Sequence, residues 1–150
     1  MIEKETGAFV VASPLQTIHI ADDKWLTAEF LRERNLPYSE SFVPANEAEA
    51  IAKAESWGYP LFLKARSGTS QRHVHRIQSS DQLRQYFGSV PKPMLQKMVA
   101  EPAPELSAEY TTSIFKCADG ELLGPFTARR TLRGGNSWCV EVAPFEKLYP

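Results

Sequence analysis

The sequence predicts an α+β fold in which helices pack on antiparallel sheets. One helix is expected from Asp23 to about Asn35. A second follows Asn46 and Glu49, whose spacing resembles a capping box. Residues 109–115 alternate between two faces, as β-strands do. Helices first and an antiparallel sheet last indicate a compact α+β unit.

Short strands are expected on both sides of a loop in the middle of the chain. Residues 61–65 form an apolar run typical of a buried strand, and residues 74–77 form another. The loop between them carries glycine and several hydroxyl groups. Further strands are predicted over residues 8–12 and 94–99, and Asp119-Gly120 is a strong hairpin signal.

The composition excludes several classes of protein. The chain has 150 residues, enough for one ordinary core or two small lobes that share a cleft. Its 17 basic and 18 acidic side chains leave a formal charge of −1, which gives no global attraction to nucleic acid or to a membrane. No apolar run approaches the roughly 20 residues that span a bilayer, and the acidic start is not a signal peptide. Because the 2 cysteines are expected to be reduced, the predicted location is the cytoplasm.

Lys64 stands near the end of the apolar run 61–65, just before the loop. A lysine in this position suits polyphosphate, because its ammonium supplies a point charge while backbone N–H groups of the loop donate to phosphate oxygens. The spacing is not that of a Walker loop, and no helix follows directly. The alternative is a plain surface hairpin, with the charge of Lys64 paired to a carboxylate of this protein such as Glu109 or Glu141.

An ordered series of short motifs covers most of the chain. It begins with an Asp-Lys pair and a Leu-Pro pair, continues with a Tyr-Pro run that ends in lysine, and closes with strands that carry glutamate and arginine. This succession resembles the ATP-grasp family and, within it, the carbamoyl-phosphate synthase large subunit. The resemblance extends from about Ser13 to Val142, and its motifs are Asp23-Lys24, Leu36-Pro37, Tyr59–Lys64, Leu95-Gln96, Glu109–Thr111 and the strand that bears Arg130.

The resemblance implies that two lysines and a loop bind the phosphates of ATP. Lys24 matches a basic residue that contacts these phosphates, and Lys64 matches a second one near the α- and β-phosphates. The loop that closes over the phosphates in the family corresponds to Gly68, Thr69, Ser70, Gln71 and Arg72.

The resemblance also assigns the rest of the nucleotide site. The backbone of Gln96, Lys97 and Met98 occupies the linker that holds the adenine edge. Glu109 matches the carboxylate that binds the ribose hydroxyls, and Arg130, near the transferred phosphoryl group, is the expected catalytic residue. These assignments agree with the needs of ATP, which are cations for the phosphates, backbone donors in a dry slot for adenine and an acceptor for the sugar.

The family implies an enzyme, an ATP-dependent carboxylate–amine or carbamate-forming ligase. A carboxylate substrate, which the sequence does not specify, attacks the γ-phosphate to give an acyl phosphate. An amine or another nucleophile then displaces the phosphate. Mg²⁺ neutralises charge in such a transfer. The ligands of Mg²⁺ are expected outside this chain, because no acidic strand of the family's kind follows before Pro150, and no metal ligand is assigned here.

The resemblance implies a division into two lobes. Residues 1–22 correspond to the end of a domain that precedes the ATP-grasp domain, and residues 23–150 to part of the ATP-grasp domain. The small lobe is expected over about 23–93 and the start of the second lobe over about 94–150. The expected partners, besides ATP and the carboxylate, are flanking domains or another copy in a homo-oligomer. The fragment alone is expected not to turn over.

Departures from the family pattern support a second hypothesis, a non-catalytic ATP-grasp relic that serves binding or assembly. The loop from Gly68 to Val74 has fewer glycines than that of the family, which stiffens it. Lys97 stands where a glutamate is common. Lys24 is equally explained as a solvated lysine at a helix start.

Other polar side chains leave alternatives open. His73 and His75 would point the same way on a strand and offer two zinc ligands, but no third ligand is near in the sequence. The group formed by Arg129, Arg130 and Arg133 fits a phosphate site, a subunit contact or a solvated strand end, and the resemblance favours the phosphate site.

Overall fold

The computed structural model of the chain describes residues 5–8, 12–68, 72–99, 109–133 and 136–143. They fall into two compact units. The first contains the described residues up to Gly68 and from Arg72 to Val99, and the second begins at Glu109 among the described residues. Residues 94–99 thus lie in the first unit, and the division into lobes at about residue 93 stays a prediction. The assignment of residues 1–22 to a preceding domain stays a prediction, and residues 9–11 of the strand expected over 8–12 lie outside the described ranges.

The first unit contains helices α1 to α4 and strands β1 to β4. The helices are α1 (Leu15–Asp22), α2 (Lys24–Glu33), α3 (Glu47–Trp57) and α4 (Ser80–Phe87), and the strands are β1 (Ser41–Phe42), β2 (Leu61–Ala65), β3 (Val74–Ile77) and β4 (Pro93–Lys97). The helix expected from Asp23 to Asn35 and the strands expected over 61–65 and 74–77 are thus present. Among the described helices, none is both long and apolar enough to cross a membrane.

Side-chain caps explain where the main helices begin. The Asp23 carboxylate accepts hydrogen bonds from the N–H groups of Trp25 (2.9 Å) and Leu26 (3.3 Å) at the start of α2. At the start of α3, Asn46 accepts from the N–H of Glu49 at 2.9 Å. The Glu49 carboxylate reaches back to the N–H of Ala45 (2.6 Å), one residue earlier than in a standard capping box.

The first sheet is antiparallel, with the strand order β1-β4-β2-β3. Strand β2 alternates between buried and half-buried residues, so Leu61, Leu63 and Ala65 share the core-facing side. Phe62 and Lys64 lie on the opposite side. The core on the first side consists of apolar residues from the sheet, α3, α4 and the segment after α4, namely Ala50, Ala54, Leu61, Leu63, Ala65, Ile77, Leu83, Val90 and Leu95.

The second unit contains a three-stranded antiparallel sheet with the order β5-β6-β7. Its strands are β5 (Glu109–Lys116), β6 (Leu122–Arg133) and β7 (Asn136–Val142). The predicted hairpin at Asp119-Gly120 joins β5 to β6, and Gly120 has a φ of 94°, which suits glycine. The strand register shifts between Ser113 and Phe115, opposite Gly124.

Candidate functional site

Lys64 and Gln96 lie on the side of the first sheet that faces away from its core. Gln96 of β4 pairs with Phe62, and Met94 pairs with Lys64, so all four side chains share one face. Lys64 and Gln96 are diagonal neighbours in this register, and the ammonium of Lys64 donates a hydrogen bond to Oε1 of Gln96. The partner of this half-buried lysine is therefore a neutral amide.

Lys24 is placed beside the loop by the start of α2. Its backbone N–H donates to the carbonyl oxygen of Arg66 (2.9 Å), just after β2. Its side-chain Nζ donates to the carbonyl oxygens of Arg66 (3.4 Å) and Gly68 (3.1 Å). Lys24 is thus not simply a solvated lysine, because both its backbone and its side chain hold the first residues of the loop.

Asp23 and Arg66 fix this junction between α2 and β2. Nε of Arg66 donates to both carboxylate oxygens of Asp23 (3.1 and 3.0 Å), and a terminal nitrogen donates to Oδ2 at 2.6 Å. Burial alone would raise the pKa of Asp23. The hydrogen bond from Arg66 and those from the N–H groups of Trp25 and Leu26 outweigh burial, so the pKa of Asp23 is lowered.

The charges of Lys24 and Lys64 are not neutralised by any carboxylate of the described residues. Lys24 is bonded to carbonyl groups and Lys64 to an amide. Burial lowers the pKa of Lys64, and the positive charge of Lys24 lowers it further. The two ammonium groups therefore repel each other. Two neighbouring cations held by neutral acceptors favour an anion between them or beside them.

The alternative left open by the sequence, that Glu109 or Glu141 pairs with Lys64, is not what the described residues show. Glu109 faces Arg130 across β5 and β6, and their side chains form an ion pair at 2.9 Å. Glu141 faces Arg129 across β6 and β7 and pairs with it. Register within the second sheet therefore gives each of these carboxylates an arginine partner.

The loop residues predicted to cover phosphate are described in part. Gly68 has a φ of 130°, a region that side-chain-bearing residues rarely adopt, and its carbonyl accepts from Lys24. Arg72 lies in the turn that leads into β3. Thr69, Ser70 and Gln71 lie outside the described residues.

Lys97, in the segment expected to hold adenine, already uses both of its backbone groups. Its N–H donates to the carbonyl oxygen of Glu40 (2.9 Å), and its carbonyl accepts from Oγ of Ser39 (2.7 Å). Its ammonium pairs with the Glu40 carboxylate at 3.0 Å and lies 5.5 Å from the ring centroid of Trp57. No hydrogen bond joins Met98 to another residue that the structure describes. The adenine assignment for residues 96–98 stays a prediction.

Glu109 and Arg130, assigned to ribose and to phosphoryl transfer, bind each other in the second unit. Arg130 also donates to Oγ of Ser137 at 3.3 Å, while its Nε is buried without a hydrogen-bond partner among the described residues. Arg129 and Arg130 are adjacent in β6 and so point to opposite faces of the sheet, and Arg133 lies over Trp138, 4.6 Å from the ring centroid. The arginines therefore do not converge on one site.

The histidines and the carboxylates near the lysines do not form a metal site. His73 lies in a turn with a φ of 53°, before β3 begins, so the shared direction expected for His73 and His75 does not apply. The ring of His75 stacks on Tyr86 at 4.3 Å. Mg²⁺ requires oxygen ligands, chiefly carboxylates and waters. The carboxylate beside Lys24, that of Asp23, is occupied by Arg66 and the helix N–H groups, so the described residues around the lysines do not fit a Mg²⁺ site.

Comparison with solved structures identifies the fold as that of the ATP-grasp enzymes. A carboxyaminoimidazole ribonucleotide synthase from Aspergillus clavatus, complexed with ATP, matches 91% of this chain with a TM-score of 0.73 and 24% identity. The biotin carboxylase domain of the 2-oxoglutarate carboxylase from Hydrogenobacter thermophilus, complexed with MgADP, ADP and bicarbonate, matches 91% with a TM-score of 0.76 and 16% identity. The match covers 36% and 32% of those chains, respectively.

Among curated proteins, the chain is similar to carbamoyl phosphate synthase large chains. It is 28% identical over 83 residues to that of Neisseria meningitidis serogroup A, and 26% identical over 108 residues to that of Helicobacter pylori. The aligned segments cover 55% and 67% of this chain but only 8% and 10% of those relatives. No protein-family model matches the chain. The resemblance predicted from the motifs is thus confirmed, and so is the α+β, ATP-grasp fold class.

Proposed function

We propose that this chain is the ATP-binding portion of an ATP-grasp ligase similar to carbamoyl-phosphate synthase, and that Lys24 and Lys64 bind the phosphates. The observation that carries the proposal is the pair of unneutralised ammonium groups at the base of the 68–72 loop. Holding two such charges together without a counter-anion is unfavourable, and the phosphates of a nucleotide would relieve the repulsion. The fold and the resemblance to carbamoyl phosphate synthase support ATP as that anion.

The resemblance assigns candidate partners to the remaining parts of ATP. We assign the backbone of Met98 to the adenine edge and Glu109 to the ribose hydroxyls. Glu109 first has to leave Arg130, and this costs little, because both side chains are partly exposed (52% and 37%) and water screens such ion pairs to about 0–1 kcal/mol. Its release would also free Arg130 for an anion. The ion pair is therefore compatible with the proposed roles of both residues.

The proposed reaction is activation of a carboxylate as an acyl phosphate. A carboxylate oxygen attacks the γ-phosphorus of ATP, the bond from this phosphorus to the bridging oxygen breaks, and ADP leaves with the electron pair. A nucleophile such as an amine then attacks the acyl carbon and releases inorganic phosphate. The lysines would neutralise phosphate charge, and Mg²⁺ would be held by ligands outside the described residues. We place this activity in the cytoplasm, with flanking domains or a homo-oligomer as partners.

The second candidate is a module that binds a nucleotide, or assembles with a partner, without catalysis. The mutual ion pair of Glu109 and Arg130 favours it, because in this arrangement neither side chain is free for ribose or for a transferred phosphoryl group. The two candidates differ in whether ATP opens this pair.

Calorimetric titration with Mg-ATP tests the proposal. The chain and its variants Lys64→Ala and Lys116→Ala are compared; Lys116 is the matched control, an exposed lysine at the end of β5. We expect binding by the chain and the control, and a loss of roughly tenfold or more in affinity for Lys64→Ala. If no binding is detected at millimolar Mg-ATP, either for the chain alone or for a form with natural flanking sequence, the ATP-binding role is ruled out. Binding without phosphate release in the extended form would favour the non-catalytic module.

A further inference from the structure

A continuous chain of uncharged hydrogen-bonding groups starts at Lys64. The Lys64 ammonium donates to Oε1 of Gln96, and Nε2 of Gln96 donates to Oγ of Ser41 at 2.9 Å. Oγ of Ser41 in turn donates to the carbonyl oxygen of Ser39 at 2.9 Å. Ser41, Lys64 and Gln96 lie far apart in sequence and are brought together by the pairing of β1 with β4 and of β4 with β2.

The donors and acceptors permit one orientation of the Gln96 amide. An ammonium group only donates, so the amide must present its oxygen to Lys64. A serine hydroxyl has one hydrogen, and Ser41 gives it to the carbonyl of Ser39. Ser41 must therefore accept from Gln96, and this requires the amide nitrogen on its side. Both ends of the side chain specify the same orientation.

We propose that Gln96, oriented by Ser41, is a positioning residue that holds the Lys64 ammonium through a neutral acceptor and so leaves its whole positive charge for a bound polyphosphate. The inference rests on the proposed function and deepens it, because it explains how the site keeps its charge in the absence of ligand. Gln96 acts through Lys64, and we assign it no contact with the reacting atoms.

Several other basic side chains of the described residues are neutralised by carboxylates, which Gln96 is not. Arg66 pairs with Asp23, Lys97 with Glu40 and Arg130 with Glu109. A carboxylate neutralises its partner and competes with phosphate for the same donor hydrogens. An amide oxygen has nearly the same position and shape as a carboxylate oxygen but carries no net charge. It fixes the ammonium while leaving its charge unpaired.

Two pairs of substitutions test the inference in the full 150-residue chain. Gln96→Glu replaces the amide by an isosteric carboxylate, and Gln96→Leu removes the acceptor at similar volume. Ser41→Ala removes the hydroxyl that orients Gln96, whereas Ser41→Thr keeps it. The probe is inorganic triphosphate, which isolates the phosphate site from adenine and ribose. Affinity is measured by calorimetry, and the pKa of Lys64 by NMR of its side-chain Cε and Nζ.

For Gln96→Glu we expect triphosphate binding to weaken about tenfold or more and the pKa of Lys64 to rise, because the new carboxylate stabilises the charged ammonium. Gln96→Leu should weaken binding and lower the pKa of Lys64. Ser41→Ala should weaken binding by about threefold, and Ser41→Thr should restore it. A purely structural role for Gln96 would not predict opposite pKa changes in the Glu and Leu variants.

The outcomes separate this inference from the proposed function. If the unsubstituted chain binds triphosphate and Gln96→Glu binds it equally well, the positioning role is wrong while the phosphate site stands. If the unsubstituted chain binds no triphosphate, the proposed function fails. The pKa comparison then still decides whether Gln96 contacts Lys64, since unchanged pKa values in both Gln96 variants would contradict the contact. Unfolding midpoints confirm that each variant is folded, and the serine pair provides the test if a Gln96 variant is not.

Discussion

Asp23 and Arg66 form a two-pronged ion pair that joins the first turn of α2 to the end of β2. The side chains of Arg66 and Asp23 are only 26% and 17% exposed, so water screens the pair incompletely. The same carboxylate caps α2 through the N–H groups of Trp25 and Leu26. One side chain therefore holds both the helix and the strand from which the two lysines project.

Asp23→Ala should destabilise the first unit by about 1–3 kcal/mol, because the helix loses its cap and a partly buried arginine loses its partner. Urea unfolding measures the effect. The control is Asp81→Ala, which removes an ion pair to Arg84 from the first turn of α4 where the Asp81 side chain is 92% exposed. That substitution should cost less than about 0.5 kcal/mol. Equal effects of the two substitutions would contradict the structural role of Asp23.

The stability of the protein should fall in acid partly through Asp23. Its folded-state pKa lies below the ordinary value of 3.8, so its contribution is present above that pH. The contribution is lost as the pH falls from 3.8 through the lowered folded-state pKa, because the folded state then binds a proton less readily than the unfolded state does. Asp23→Asn keeps a capping oxygen but cannot titrate. Its unfolding free energy should depend less steeply on pH in this range, and an unchanged slope would contradict the lowered pKa.

Lys64→Met should leave the protein at least as stable as before, although it removes a residue of the proposed site. The pKa of Lys64 is lowered by burial and by Lys24, so the folded state disfavours its charged form at neutral pH. The stability of the unsubstituted chain should rise as the pH increases through the lowered pKa towards 10.5, since the unfolded state binds more protons there. Denaturant unfolding at neutral and alkaline pH tests both statements. A clear loss of stability at neutral pH in Lys64→Met would show that the ammonium is well compensated without a ligand.

Gly124→Ala should destabilise the second unit. Gly124 has a φ of 112°, and an added Cβ would lie 2.9 Å from the carbonyl oxygen of Ser113 in the neighbouring strand. Strain of this kind costs about 1–3 kcal/mol. Gly88→Ala is the matched control, because Gly88 follows α4 in a right-handed conformation, with a φ of −68°, and has open space around it. Thermal unfolding that lowers the midpoint equally in both variants would contradict the conformational argument.

Local signals in the sequence predicted the elements well, because caps and alternation depend on neighbouring residues. Asn46 and Glu49 act within one helical turn, and the alternation of 61–65 reflects one buried face. Such local signals did not predict the partner of Lys64. A lysine near the end of an apolar strand indicates that some acceptor is near, but only the register of β2 and β4 shows that the acceptor is Gln96, 32 residues away.

The same limit applies to the ion pair of Asp23 with Arg66, which are 43 residues apart. The motif of aspartate and lysine suggested that Lys24 binds phosphate, and nothing in the sequence showed that Asp23 would be occupied by an arginine after β2. His75 stacks on Tyr86 because α4 packs beside β3, a tertiary contact that alternation along a strand does not reveal. Neighbouring residues in the sequence suggested the kind of site, but which side chains contact each other depends on tertiary contacts between elements far apart in the sequence.

The backbone N–H of Lys24 donates to the carbonyl of Arg66, so exchange of this amide proton depends on the conformation at the start of the loop. That carbonyl also accepts from the side chain of Lys24, which in turn holds Gly68. If a bound anion draws the Lys24 side chain away from these carbonyl groups, the Arg66 oxygen accepts only from the backbone N–H of Lys24. Deuterium exchange at this single amide would therefore register occupancy of the site, even by an anion that gives no optical or calorimetric signal.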